Sequence, residues 1–340
     1  LFTAFATDPT HARWTYRFQN GFDTRAELLA YLISIEANPS AHFGVYIDIA
    51  TGKAAGLGSL MSIDPSNGAI EIGAIMLAPS LSGTAAGTEA LVLQIRWAFE
   101  AGYRRIEWTC DPLNAASMRA AQRLGFSYEA TFRQRYASKG RNRDQAVFSI
   151  LDGEWSAIDM QHRAWLDVSN FDDNGKQRRA LSDMTSPLLV ATAPATDGQL
   201  AAHHNDHGQP IGPPLPIDWT PPPRPVRQTL EGSCVKCVPL SADHAASLYP
   251  ELCQTDVTHW AWLSYGPFAS ESEFVEWIGA SSLTADPLFF TITTEGRAVG
   301  VASFLRIFDT DGSIEVGHLS FGSSLKRSRA ATEALYLMVA

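Results

Sequence analysis

Residues 69–102 read AIEIGAIMLAPSLSGTAAGTEALVLQIRWAFEAG, and the order of chemistry in that stretch decides the architecture. Ala69 to Leu77 is an apolar run of strand length that holds three isoleucines. A loop of small residues follows: Ser82, Gly83, Thr84, Ala85, Ala86, Gly87 and Thr88. A helix is predicted from about Ala86 to Ala101, closed by Gly102 as a stop residue. Small residues let a backbone come close to a ligand, and the helix start adds free N–H groups and the positive end of its dipole, which together favour an anion. A small-residue loop before a helix also serves as a plain tight turn.

Working outward, Leu28, Leu29, Leu32 and Ile35 recur at helical spacing within Thr24 to Glu36. Phe43 to Ile49 and Ala54 to Ile63 are strands, and the turn residues at 51–53 and 65–68 join them to Ala69–Leu77 as an antiparallel meander. Downstream come a short strand (Arg105 to Cys110), a helix (Leu113 to Leu124) stopped by Gly125, and strands at Ser127 to Ala137 and Ala146 to Leu151. Lys139 to Asp144 reads as the hairpin between the last two, with Asp144 structural. The class is α+β: a mixed, mostly antiparallel sheet flanked by helices.

The chain also repeats itself. Shifted by 244 residues, Gly56 to Arg96 aligns without a gap on Gly300 to Ala340, with 15 of 41 pairs identical. Glu71 recurs as Glu315, and the run Thr88 to Leu91 as Thr332 to Leu335. A long period in two copies means two domains rather than a solenoid. The expected division is a first domain over 1–183 that lacks its opening strand, a Pro-, Ala- and His-rich linker over 184–231, and the first half of a second domain over 232–340. That second copy opens with a strand at Cys234 to Leu240 and a helix at Ala242 to Leu252. Because the first copy lacks its opening elements and the second stops at the counterpart of Arg96, the expectation is a window from a longer tandem protein. Complementary truncation raises a dimer, or a pairing of the two copies by strand exchange.

Composition narrows the function. Net charge is -10, which argues against nucleic acid or an anionic membrane as partner, since both need a basic face. No apolar run is long enough for a membrane span, and the expected location is cytoplasmic. Four cysteines are too few for a disulfide scaffold. Cys234 and Cys237 form a lone CxxC in a segment that reads as a strand with one buried thiol, against a redox or zinc alternative. The histidines at 203, 204 and 207 read as a solvated run, and no metal is expected.

The order of elements and several motifs resemble the GCN5-related N-acetyltransferases, in particular the RimJ/RimL-type branch. The resemblance covers the first copy to about Trp155 and all of the second. It implies acetyl-CoA as cosubstrate, with the loop Ser82–Thr88 holding the pyrophosphate. Ser82 stands where that family has Gln or Arg, and Ala85 where it has a second glycine. The same window in the second copy carries Lys326, Arg327 and Arg329. Asn114 and Ser117, followed by Gly125 and Phe126, are similar to the Asn-x-x-Ser…Gly-Phe signature. By that resemblance Asn114 bonds the pantetheine arm and Ser117 protonates the departing thiolate; read locally, Asn114 is a helix N-cap and Ser117 a first-turn residue.

The resemblance further implies a splayed central strand pair at Ala74 to Leu77, with the Met76 or Leu77 N–H aimed at the thioester carbonyl. Acetyl transfer to an amine also needs a proton acceptor. Glu71 is the candidate, against a solvated carboxylate on a sheet face; Tyr136 stands where relatives place a glutamate, with Glu107 and Asp111 in reserve. Trp14, Tyr16 and Phe22, like Trp262, Tyr265 and Phe268, line the acceptor cleft or belong to the core. The expected acceptor is a protein N-terminus or a small amine; an N-terminal amine, an aminoglycoside-like compound and a polyamine would all suit an acidic cleft. The rival reading is a non-catalytic acyl-CoA-binding scaffold or sensor.

Overall fold

The computed structural model describes residues 1–5, 11–194, 203–255 and 257–340. They form two compact units, Leu1–Ile217 and Asp218–Ala340.

In the first unit, a turn of helix (α1, Phe2–Phe5) precedes α2 (Arg25–Glu36). Thr24 starts α2 with a capping box: its hydroxyl accepts the Glu27 N–H at 3.2 Å, and the Glu27 carboxylate accepts the Thr24 N–H at 3.1 Å. The meander is β1 (Ala41–Asp48), β2 (Lys53–Asp64) and β3 (Ala69–Leu77). Next come α3 (Ala85–Glu100), β4 (Arg105–Cys110), α4 (Ala115–Arg123), β5 (Ser127–Ser138), β6 (Arg141–Leu151) and α5 (Asp152–Leu166). The sheet runs β1-β2-β3-β4-β6-β5, antiparallel throughout except where β3 meets β4. Ile70, Ile72, Ile106 and Phe148 pack with Val92 and Ile95 of α3 and Met118 of α4 in its core.

The last hairpin is tighter than the sequence suggests. Lys139 and Gly140 have φ of 52° and 69°, the left-handed pair that a two-residue turn requires, so β6 begins at Arg141. Asp144 accepts the N–H of Gln134 at 2.7 Å, fastening an irregularity in β5.

Parts of the expected linker are structured. Helix α6 (Leu181–Thr185) buries Leu181 and Met184, and β7 (His203–His204) pairs with β8 (Pro210–Ile211). The Tyr128 N–H donates to Ala191 O, and the Asn142 N–H to Pro213 O. Composition underrates such a stretch, because it takes hydrogen bonds from strands already in place and covers the edge strand β5. Residues 195–202 lie outside the described residues.

His162 of α5 is fully buried, with Nε2 2.9 Å from Leu124 O at the end of α4. Burial pushes its pKa down to about 4. A depressed basic group binds fewer protons folded than unfolded, so stability should fall as pH drops from about 6.5 to about 4, by about 3 kcal/mol. Chemical denaturation across that window should show the slope, and His162→Gln should flatten it.

The second unit contains β9 (Leu230–Glu231), β10 (Lys236–Pro239), α7 (Ala245–Tyr249), α8 (Glu271–Ser281), β11 (Leu288–Thr294), β12 (Arg297–Phe308), β13 (Ser313–Phe321) and α9 (Arg329–Val339). Its sheet order is β13-β12-β11-β10-β9. β10 pairs with β11 and β9 within the sheet of its own unit. The expected helix over Ala242 to Leu252 is broken into a short 3-10 turn, α7 and a wider turn from Pro250. Cys237 faces the core, where burial pushes its thiol up to about 11, whereas Cys234 is exposed and donates to Glu333.

The repeat extends to backbone irregularities. The β2–β3 register shifts between Leu57 and Ser59 and between Met61 and Asp64, and the β12–β13 register between Val301 and Ser303 and between Leu305 and Phe308. Positive φ occurs at Ser62 and Ala74, and again at Arg306 and His318. Each position in the second set lies 244 residues beyond its counterpart. Bulges are features that related folds keep. Among the described residues, no helix is long and apolar enough to cross a membrane, and no His/Cys/Asp/Glu group could hold a metal ion.

Candidate active site

The site begins where β3 and β4 part. Their parallel pairing covers Ala69 to Glu71 against Arg105 to Glu107; beyond it, β3 stays with β2 and bulges at Ala74, whose φ is 50°. Glu71 is therefore the last paired residue before the fork. Ile70 and Ile72 point into the core, and strand alternation sends Glu71 to the other face. There it is 7% exposed and accepts hydrogen bonds from Ser62 Oγ (2.9 Å) and Thr109 Oγ1 (2.6 Å). Burial raises its pKa above the ordinary carboxylate value, and the neighbouring Glu107 adds to the rise.

A cavity of about 460 Å³ opens on this fork. Glu71, Asn114, Ser117 and Tyr136 all line it, together with Trp108, Thr109, Asp111, Arg13, Arg17 and Arg143. Ser117 Oγ accepts the Trp108 Nε1–H at 3.0 Å. Asn114 is the N-cap of α4, its Oδ1 accepting the Ser117 N–H at 3.2 Å, so the local reading holds and leaves its amide NH₂ for other work. Tyr136 of β5 meets Phe18 edge to face at 5.2 Å. Asp111 is buried, accepts the Leu113 N–H, and has its pKa raised by that burial.

The aromatic expectation divides. Tyr16 lines the cavity, whereas Trp14 is buried and packs edge to face with Phe22. In the second unit, Tyr265 and Phe268 pack around Trp260, and Trp262 is exposed. The cavity is not an acidic cleft, since Arg13, Arg17 and Arg143 stand beside Glu71 and Asp111.

The small-residue loop lines a second, larger groove of about 1050 Å³. Leu77, Ser82, Gly83, Thr84, Ala85, Gly87 and Thr88 form one wall, and Ala116 and Arg119 of α4 another. Thr84 is the N-cap of α3 and accepts the Gly87 N–H at 3.0 Å, which leaves the Ala85 and Ala86 N–H groups of the first turn without an intrahelical acceptor. A Cβ on Gly87 would lie 2.2 Å from Leu81 O, so glycine is required there by close packing. Gly83 has φ of 75°, which favours glycine for a different reason.

Met76 O lies on the β2 side of β3, against Gly56. A residue's N–H and C=O leave a strand by the same edge, so Leu77 rather than Met76 offers its N–H to the fork. On that edge, Arg17 donates to Ala74 O and Ile75 O, and Arg13 to Leu77 O. Three groove residues were not anticipated: Arg119, Arg123 and Lys176. Arg123 donates to Thr88 Oγ1 at 3.0 Å and lies over the Trp165 ring. The spacing of Arg119 and Arg123 on one helix face was a usable signal; nothing local marks Lys176.

Residues 1–127 match the family model for the acetyltransferase (GNAT) domain. Among solved structures, a GCN5-related N-acetyltransferase from Brucella melitensis is 43% identical with a TM-score of 0.53, covering 55% of this chain and 85% of that one. A probable acetyltransferase of the GNAT family from Chromobacterium violaceum ATCC 12472 is 40% identical with a TM-score of 0.44, over 46% and 78%. A spermidine N-acetyltransferase from Vibrio cholerae, in complex with CoA and spermine, is 18% identical with a TM-score of 0.38, over 44% and 89%. No curated protein matches the chain.

Proposed function

The chain belongs to the GCN5-related N-acetyltransferase family, and on that premise we propose that its first unit passes the acetyl group of acetyl-CoA directly to a primary amine within a ternary complex. The observation that carries this reading is a pair of spaces lined by neighbouring residues of β3 and α4: a groove with open helix-start amides and basic walls, and a cavity holding a buried, doubly hydrogen-bonded carboxylate. The Ala85 and Ala86 amides, with Arg119, Arg123 and Lys176, suit the phosphates of CoA. The Leu77 N–H polarises the thioester carbonyl. Glu71 takes the amine proton, directly or through water, and its raised pKa brings it nearer to working pH. Ser117 supplies the proton that the departing thiolate requires, and the Asn114 amide steadies the pantetheine arm.

The repeated motifs and matching bulges support a tandem duplication of one acetyltransferase domain, and the resemblance of its motifs supports the RimJ/RimL-type branch. The acceptor class covers peptide N-termini and small amines.

Release of free CoA thiol from acetyl-CoA in the presence of an amine panel tests the reading. Amine-dependent release is expected, and Ser117→Ala should lower kcat by roughly 10-fold to 100-fold. A second reading, a non-catalytic acyl-CoA-binding module, is favoured by one observation: Arg13 and Arg17 already occupy the fork-side carbonyls of β3. Acetyl-CoA binding with no amine-dependent thiol release would select it.

A further inference from the structure

The arginines of the acceptor cavity carry more positive charge than proton transfer to Glu71 needs. Arg143 of β6 has a side chain 15% exposed, and its Nε is buried with no hydrogen-bond partner among the described residues. The nearest ion-pair partner recorded for it, Asp111 Oδ2, is 3.9 Å away, too far for a hydrogen bond. Asp111 is a weak counter-ion besides, because one oxygen already accepts the Leu113 N–H. Arg143 lies over Phe18, with Cζ 4.2 Å from the ring centre, and its Nε–H is the donor left without an acceptor.

Arg17 enters the same cavity, and its Nε is likewise buried without a partner. Lys139 is near enough that both arginines disfavour its charged form, after the larger effect of burial. Gathering Arg17, Lys139 and Arg143 costs desolvation and mutual repulsion. Asp111, Glu71 and Asp144 are the acidic groups nearby, and two of them are spoken for by the bonds that Thr109, Ser62 and Gln134 donate. A guanidinium whose Nε is buried without a hydrogen bond, and whose counter-ion Asp111 stands 3.9 Å away, is most simply explained by an anion that arrives with the ligand.

We infer that the amine acceptor carries a carboxylate, received in the cavity by Arg143 with Arg17 beside it, while its amine faces Glu71: an amino acid or a short peptide rather than a polyamine. This rests on the acetyl-transfer reading of the same cavity. The planar fork of a guanidinium matches a carboxylate in two parallel hydrogen bonds. A polyamine would bring further positive charge against Arg13, Arg17 and Arg143, with no anion to meet them.

The test uses the full chain and matched acceptors: an amino acid against its amide, a dipeptide against its C-terminal amide, an aminophosphonate, and spermidine. Rates are read as thiol release from acetyl-CoA. Each acid is expected to exceed its amide in kcat/KM by about tenfold or more, with spermidine below both. Arg143→Gln should collapse the acid-to-amide ratio to within about twofold through KM, and Arg143→Lys should keep part of it. Preference for spermidine or the amides, or a ratio unchanged in Arg143→Gln, would overturn the inference; preference for the phosphonate would overturn the carboxylate assignment. A second arm titrates an N-acetyl amino acid and its amide into protein saturated with CoA. If no amine is acetylated, the transfer reading fails. The inference then stands or falls on whether the acid binds more tightly than the amide and loses that advantage in Arg143→Gln.

Discussion

Glu71→Gln is expected to lower kcat by roughly 100-fold or more without lowering Tm. The loss follows from removing the proton acceptor at the strand fork, where positioned acid–base groups contribute about 10²–10⁴-fold. The unchanged or higher Tm follows from the sign of the pKa shift. Glu71 is raised by burial, so the folded chain holds this proton more tightly than the unfolded chain does. The group contributes stability below its unfolded value and loses it as pH rises through the folded value. At neutral pH the ionised carboxylate is therefore a cost, relieved in part by the Ser62 and Thr109 hydroxyls. Glutamine keeps the shape and removes the charge, and the hydroxyls can rotate to accept from its NH₂. The wild-type rate should also fall on the acid side at a pH above the ordinary carboxylate range, and that limb should vanish in the variant. Steady-state rates against pH, with thermal melts of both proteins, check this; a kcat within about threefold of wild type would pass the role of base to Asp111.

Ala86→Glu should abolish most acetyl-CoA binding while leaving the fold intact. Ala86 is exposed in the first turn of α3, behind the Thr84 cap. A glutamate there favours the helix, because it meets the positive end of the dipole, by about 0.3–1 kcal/mol. The same charge stands where the CoA phosphates are expected to meet the open amides, so affinity should fall by roughly 100-fold, about 2.7 kcal/mol. A destabilised loop and a blocked anion site are thereby separated, since one change moves Tm and affinity in opposite directions. Calorimetric titration of acetyl-CoA into both proteins gives the answer. Full affinity in the variant would move the phosphate site away from the start of α3 and toward Arg119, Arg123 and Lys176.

Much of the fold was legible because it is written in local rules. The alternation around Ile70 and Ile72, the capping pair Thr24 and Glu27, the stops at Gly102 and Gly125 and the turn at Gly68 each act within a few residues, and each marks an element of the structure. The family resemblance brought Glu71, Asn114, Ser117 and Tyr136 forward as candidates, and they line one cavity. The loop Ser82–Thr88 was likewise legible as the lead-in to a helix, and Thr84 caps α3. Met76 was the exception, because the edge by which an amide leaves a strand depends on the bulge at Ala74, which no local pattern announces.

The linker shows the opposite limit. Residues 203–217 look unable to fold by composition, yet Pro210, Pro213 and Leu215 hydrogen-bond to residues of the first unit through their backbones. Composition counts the apolar area that a segment could bury; it does not count the strand edges and turns waiting elsewhere for a partner.

By itself the sequence determined the α+β class, the order of strands and helices around the loop, and the internal repeat, since short-range sterics, periodicity and spacing control all of these; the candidate site residues came from the family resemblance of its motifs. Tertiary structure alone decided that Arg17 and Arg143 share a cavity with Glu71, that Arg119, Arg123 and Lys176 share a groove with the loop, and that the cavity beside Glu71 is rich in arginine instead of acidic. Those juxtapositions join segments far apart in the chain, and they are set by which strands pair and where they part, a long-range outcome that no local period records.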